Sequence, residues 1–264
     1  MIKYIFASLI ALFLVSQAAH ASNTDSGLGY QTGIYFSAFM GAPKSVNNQV
    51  SFNLEDQADQ VFEAKYNNRP FQDSYYWSTK VEHWDNKEGM GLELIHHKIY
   101  LSNTNDVIED FSLSDGYNLL YWNFGRQYDE HIVRLGLGVV IVNPDVTIAG
   151  RDRYSIRGGK GQHLAGPSVQ LNYERWIWEN ETHFISLDHK LTLSYAVSPI
   201  SNDEDEYVVA PDIAFHFSLG FGSKPEALQT DDGLSSLYYF APLLYPVASY
   251  KTALGLGFPS SFRL

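Results

Sequence analysis

Apolar and polar residues alternate along seven or eight segments of this chain, and the gaps between the segments alternate too, long then short. A period of two sends successive side chains to opposite faces of a strand. A tight gap joins two such strands as an antiparallel hairpin. The segments fall near 30–42, 75–85, 89–101, 117–128, 131–143, 166–178, 183–196 and 207–222. The tight gaps are Asn86–Glu88, Asp129–Glu130 and Glu179–Glu181, and the long ones are 43–74, 102–116, 144–165 and 197–206. Short periplasmic turns and longer extracellular loops are the pattern of a transmembrane β-barrel. The predicted fold is all-β: an up-and-down antiparallel transmembrane barrel of eight strands, porin-like in architecture, with its termini on the periplasmic side.

The N-terminus carries a matching address. Lys3 precedes an apolar run from Ile5 to Val15, and Ala19-His20-Ala21 is a small-x-small cleavage site. Residues 1–21 therefore read as a secretory signal peptide. The run is about half the ~20 apolar residues that a spanning helix needs. The expected destination is the outer membrane. The sequence has no cysteine, so the exported chain relies on a closed hydrogen-bonded sheet rather than on disulfides. Its formal net charge is -12, which argues against a nucleic-acid partner. The expected partners are outer-membrane lipids and lipopolysaccharide, and the expected state is a monomer. A large soluble sandwich is the competing reading of the same strand pattern.

Within each segment one phase is apolar and is expected to face lipid: Ile34, Phe36, Ala38 and Met40 in the first, Tyr75, Trp77, Thr79 and Val81 in the second, Val133 to Ile141 in the fifth and Val209 to Phe221 in the eighth. The opposite phase carries Lys80, Glu82, Glu93, Arg134, Gln170, Asn172, Glu174, Asp188, Lys190, Asp212, His216 and Ser218. Eight strands leave an interior just wide enough for side chains to fill it. Charges there must pair, because an unpaired buried charge is costly. The expected lumen is a charge network of Lys80, Glu82, Arg134, Glu174, Asp188, Lys190, Asp212 and His216, which disfavours a wide diffusion pore.

Residues 22–222 form the predicted barrel. The stretch 223–264 opens polar and then turns aromatic, with Tyr250, Thr252, Leu254, Leu256 and Phe258 alternating. It reads either as a C-terminal tail or as a further strand pair that makes ten strands. Pro242 and Pro246 count against a central strand there.

The third segment breaks its own pattern. Met90, Leu92 and Leu94 share a phase that continues as His96, Lys98 and Tyr100. These lie toward the extracellular end, where a cation on the lipid side is cheap and phosphates of the outer leaflet are within reach. A bulge near Ile95 would turn His96 inward instead. His97 lies on the Glu93 phase and can join the lumen. The loop 144–165 is basic, with Arg151, Arg153, Arg157, Lys160 and His163 among glycines. Arginine forks suit phosphate, so this loop is a second candidate contact for lipid phosphate, or simply a solvated loop. The acidic run 203–206 admits loose divalent-cation binding. His216-Phe217-Ser218 resembles the His-x-Ser of outer-membrane lipid A deacylases, but it falls near the periplasmic end, and Leu219 stands where that family has Asn.

From Phe62 to Leu101 the chain resembles a small group of proteobacterial outer-membrane β-barrels. The shared pattern is an aromatic-rich loop, a Tyr-Tyr strand with a Trp turn, then Gly91, Glu93, His96, Lys98 and Tyr100 at alternating positions. Some members are lipid A oxidases, which convert the proximal glucosamine to an aminogluconate with dioxygen. That resemblance implies His96 or Glu93 as catalytic base and Lys98 with the Arg151–Lys160 loop as phosphate ligands. No flavin, haem or cysteine-ligated metal site is evident in the sequence. A divalent cation held by His96, His97 and a carboxylate remains open, as does a non-enzymatic structural or surface-interaction barrel.

Overall fold

The computed structural model describes residues 29–225 apart from 56, 73–74, 155–161 and 202–204, and it describes only the backbone of 114, 115 and 152–154. The leader 1–21 and nearly all of the 223–264 stretch lie outside those residues. The strands in chain order are β1 (Gly33–Ser45), β2 (Asn48–Asn53), β3 (Gln60–Ala64), β4 (Tyr66–Asn67), β5 (Trp77–Asp85), β6 (Glu88–Leu101), β7 (Ile108–Tyr128), β8 (His131–Val142), β9 (Asp145–Ile148), β10 (Arg151–Tyr154), β11 (His163–Glu179), β12 (His183–Pro199) and β13 (Tyr207–Ser223). Eight of them, β1, β5, β6, β7, β8, β11, β12 and β13, pair antiparallel in that order, and β13 pairs back onto β1. The sheet is closed, so its spanning part has no exposed edge.

The tight turns follow from their residues. Asn86 and Asp129 adopt positive φ, 53° and 51°, a conformation that Asn and Asp tolerate better than other side chains. At the third turn the Asn180 side-chain oxygen accepts from the Thr182 and His183 amides at 2.9 and 2.7 Å.

Alternation sorts the wall as a membrane requires. Leu135 and Leu137 are each 54% exposed, whereas Arg134 and Asp188 are 0% exposed. A charged interior behind an apolar exterior inverts the arrangement of a water-soluble barrel and belongs to a transmembrane one. Of the outward residues expected on β1 and β5, Ala38 and Trp77 depart from it, buried at 3% and 4%. Ala38 is too short to rise above its neighbours, and Trp77 lies flat against His96, ring centroids 5.6 Å apart.

The stagger sets depth. Direct register partners lead from His131 through Arg175, Leu187, Leu219, Met40, Trp77, His96 and Asn118 to Ile141, ten residues further along β8. Such a stagger tilts the strands by roughly 40°. Ten residues at about 3.3 Å each then climb about 25 Å, the height of the apolar band that crosses a membrane. Exposed apolar side chains mark its limits, from Ile177 and Trp178 at the turn end to Leu164, the register partner of Ile141.

Three layers fill the lumen. At the turn end Tyr30, Tyr35, Trp84, Ile132, Trp176 and Phe184 form an aromatic plug. Tyr30 stacks on Trp84 and Trp176 on Phe184, with centroids at 4.1 and 4.0 Å. Charged and amide groups occupy the middle. Above them Val50, Phe52, Ile108, Phe111, Val142, Val146 and Val208 share an apolar core. The long gaps of the sequence are therefore not plain loops. They hold β2, β3, β4, β9 and β10 and a nine-residue extension of β7 back to Ile108, because the strands continue past the membrane and their inward faces pack on one another.

Candidate functional site

The lumen network is built from side chains of seven strands, β5, β6, β7, β8, β11, β12 and β13. Arg134 grips Glu82 with both arms, at 2.7 Å from Nε and 2.8 Å from Nη2, and reaches Glu174 at 2.8 Å. Lys80 lies between Asp188 at 2.5 Å and Glu174 at 3.2 Å. Lys190 pairs with Asp188 and with Glu93, the latter at 3.3 Å. Asn123 and Gln170 donate to the second Glu93 oxygen at 2.9 and 2.7 Å. Toward the exterior His97 contacts Asp212 at 3.0 Å, and His216 meets the Thr192 hydroxyl at 2.9 Å. Every cation here faces a carboxylate in a buried interior, where removing a group's sole partner leaves a charge uncompensated. Geometrically this is a salt-filled plug, closed below by aromatic rings and above by aliphatic ones.

The outer wall holds the second cluster. His96 stays on the lipid-side phase, because the β6–β7 register shift falls beyond His97 and is absorbed by β7 around Gly116 (φ 135°). His96 and Glu93 therefore project from opposite faces of β6 and are not brought together. His97 also faces away from His96, and no group of three metal-ligating side chains occurs among the described residues. The His96 Nδ1 lies 2.8 Å from the Asn118 side-chain oxygen. Trp77, His96 and Asn118 thus form a polar row across β5, β6 and β7. By the stagger, His96 stands about 19 Å above the level of His131 and Lys98 about 24 Å, the outer-leaflet side of the band.

His96, Lys98 and Tyr100 are all buried, at 2%, 1% and 9%. Trp77 covers His96, and the cover of Lys98 and Tyr100 is formed by residues 68–72 after β4. The Lys98 ammonium donates to the Gln72 carbonyl at 2.5 Å, and the Arg69 guanidinium lies 4.1 Å from the Tyr100 ring centroid. Asn68 patches the wall where β5 has ended. Its oxygen accepts from the Ser45 amide at 2.9 Å, and its amide donates to the Lys98 carbonyl at 2.9 Å. Sequence reasoning missed Asn68, Arg69 and Asn118. For Asn118 a signal existed, since it precedes Leu120, Trp122 and Phe124 in the same apolar phase.

Of the basic loop, Arg151 is exposed at the start of β10 and His163 is half-buried at the start of β11. The Arg153 side chain, Arg157 and Lys160 lie outside the described residues, as do 203 and 204 of the acidic run. His216 and Ser218 both face the lumen and are buried, so this pair is turned away from lipid.

No family model matches the chain, and no curated protein matches it. Among solved structures it is similar to the attachment invasion locus protein Ail of Yersinia pestis, at 12% identity and TM-score 0.41, covering 73% of this chain and 99% of that one. It is similar to the outer membrane protein OprG of Pseudomonas aeruginosa, at 14% identity and TM-score 0.42, covering 74% and 97%. A third is the outer membrane protein AlkL, at 12% identity and TM-score 0.44, covering 77% and 95%.

Proposed function

We propose that this transmembrane barrel is a surface protein that contacts lipopolysaccharide at the outer leaflet through its exterior wall. The observation that carries the reading is the change of character along β6. Its lipid-side phase is apolar through Leu94 and then becomes His96, Lys98 and Tyr100 under a dedicated cover, at the depth where lipid A carries its phosphates. A sealed lumen is consistent with this reading, because it leaves the outer surface and the extracellular head as the parts that meet other molecules.

A second reading, oxidation of lipid A, is favoured by one observation: an imidazole, His96, lies on the outer wall at glucosamine depth, and a general base must stand within reach of the proton that it takes. It needs the Trp77 ring to move off the imidazole, and it leaves Glu93 no part, since that carboxylate is held inside by Lys190, Asn123 and Gln170. Lipid A mass spectra from cells with and without the protein, read beside the lipid that co-purifies with it, test both. Co-purified lipid A with an unchanged spectrum supports the contact reading. A species heavier by one oxygen supports the oxidase. No lipid A with the protein and no change in the spectrum would end both.

A further inference from the structure

The cover, residues 68–72 with 75 and 76, has two faces, and the outer one is unaccounted for. Its inner face seals Lys98 and Tyr100. On its outer face Arg69 is exposed, Phe71 is 62% exposed and Tyr75 is 56% exposed. Lys44, on the lipid-side phase of β1, is exposed beside them, because its neighbour Ser45 is bonded to Asn68, the residue before Arg69. Neither Arg69 nor Lys44 has a carboxylate within ion-pair distance among the described residues.

The backbone at Arg69 is unusual. Its φ is 41°, the left-handed region, which costs a side-chain-bearing residue on the order of 1 kcal/mol or more, and the following Pro70 disfavours it further. The conformation is held by the Pro70 carbonyl, which accepts from the Tyr76 amide at 2.9 Å. Its effect is to reverse the chain so that the guanidinium rests on Tyr100 while Phe71 projects away from the wall. The depth of Lys98, about 24 Å above the His131 level, puts this lip at the headgroup boundary of the outer leaflet. Aromatic rings are stable at that boundary, and an arginine fork matches a phosphate.

We infer that Arg69, Phe71 and Tyr75 with Lys44 form a lipid clamp: Phe71 and Tyr75 enter the acyl-chain boundary, and Arg69 with Lys44 holds the phosphate of a phosphorylated glycolipid of the lipid A class. The inference deepens the contact reading above and rests on it only for the identity of the lipid. The seat of the clamp is testable without it.

The chain has no cysteine, so single-cysteine nitroxide labelling is free of background. Phe71→Cys, with Leu137→Cys as wall control and Val61→Cys as extracellular control, is labelled and reconstituted in bilayers. Accessibility to oxygen and to a water-soluble nickel chelate is then read by power saturation. The clamp predicts that the label at 71 follows the one at 137 in favouring oxygen, and accessibility like that at 61 overturns it. In a second arm the bilayer contains bis-phosphorylated lipid A, phosphate-free lipid A or phosphatidylglycerol. The clamp predicts slowed label motion with the first alone, and loss of that slowing in Arg69→Gln and in Lys44→Gln backgrounds. Equal slowing by phosphatidylglycerol overturns the glycolipid assignment. No slowing by any of them, with the label still at membrane depth, overturns the phosphate grip. Failure of lipid A to co-purify alongside a positive second arm would separate the loss of the cellular reading from the clamp itself.

Discussion

Replacing Arg134 by Met should unbalance the centre of the barrel, and its cost follows from the contacts it removes. Arg134 is fully buried and, among the described residues, is the only cation paired with Glu82, whose two oxygens it meets at 2.7 and 2.8 Å. Glu174 loses Arg134 too but keeps Lys80 at 3.2 Å. The substitution therefore leaves one buried carboxylate without its countercharge, and breaking a buried pair in this way costs about 3–5 kcal/mol. With a urea slope of about 2 kcal/mol/M, the unfolding midpoint falls by roughly 1.5–2.5 M. Tryptophan fluorescence of the protein refolded into lipid vesicles reads the midpoint. The five tryptophans include Trp84 and Trp176 of the plug, so loss of packing is visible directly. Arg134→Met combined with Glu82→Gln should recover most of the loss, because the stranded charge is then gone. Arg126→Met should leave the midpoint unchanged, since the Arg126–Glu88 pair at 3.6 Å is held by side chains 62% and 73% exposed and exposed pairs contribute little. A midpoint for Arg134→Met within about 0.5 M of wild type, or no recovery in the double variant, would refute the claim that buried ion pairs hold the centre of the lumen together.

Other consequences can be checked as directly. Gly222→Ala would put a methyl group 2.0 Å from the Phe184 ring, so it should cost about 1–3 kcal/mol by wedging open the Trp176–Phe184 stack; unchanged vesicle unfolding would contradict the packing of the plug. Planar bilayers should show no stepwise conductance for wild type or for Trp84→Ala, because the charge layer stays closed when the aromatic layer below it is thinned; channel openings in either would contradict the three-layer lumen. Asp212→Leu should destabilise the fold more than Asp212→Asn, since only the latter keeps the close partner that His97 has at 3.0 Å and the former leaves it the longer Ser45 hydroxyl contact at 3.4 Å; equal effects in heat-modifiability gels would argue against the His97–Asp212 contact.

Much of this was legible from the chain and some was not. The eight spanning strands match the alternating segments to within a few residues, except that β7 starts at Ile108 rather than near 117. That extension was hidden because its register slips between Ile108 and Asp110 and again around Gly116, which breaks the two-residue period on which the reading depends. Strand β2 was short but visible in Val50 and Phe52, and it was passed over because six residues alone do not separate a strand from a loop. His96 and Lys98 were recognisable as out of place on an apolar phase. That Lys98 is roofed by residues 68–72 was not, since the roof depends on a left-handed arginine and on one asparagine bonding across two strands.

Alternation along the chain, with short and long gaps taking turns, was sufficient by itself to specify antiparallel strands and their inner and outer faces, because each is a property of neighbouring residues, whereas closure needed β13 to pair back onto β1. Tertiary structure alone decided which charges meet: Lys80 finds Glu174 and Asp188 from 94 and 108 residues away. It also decided the level at which each outward group stands. Both follow from the ten-residue stagger of the ring, and a stagger is a relation among all eight strands that no single one of them encodes.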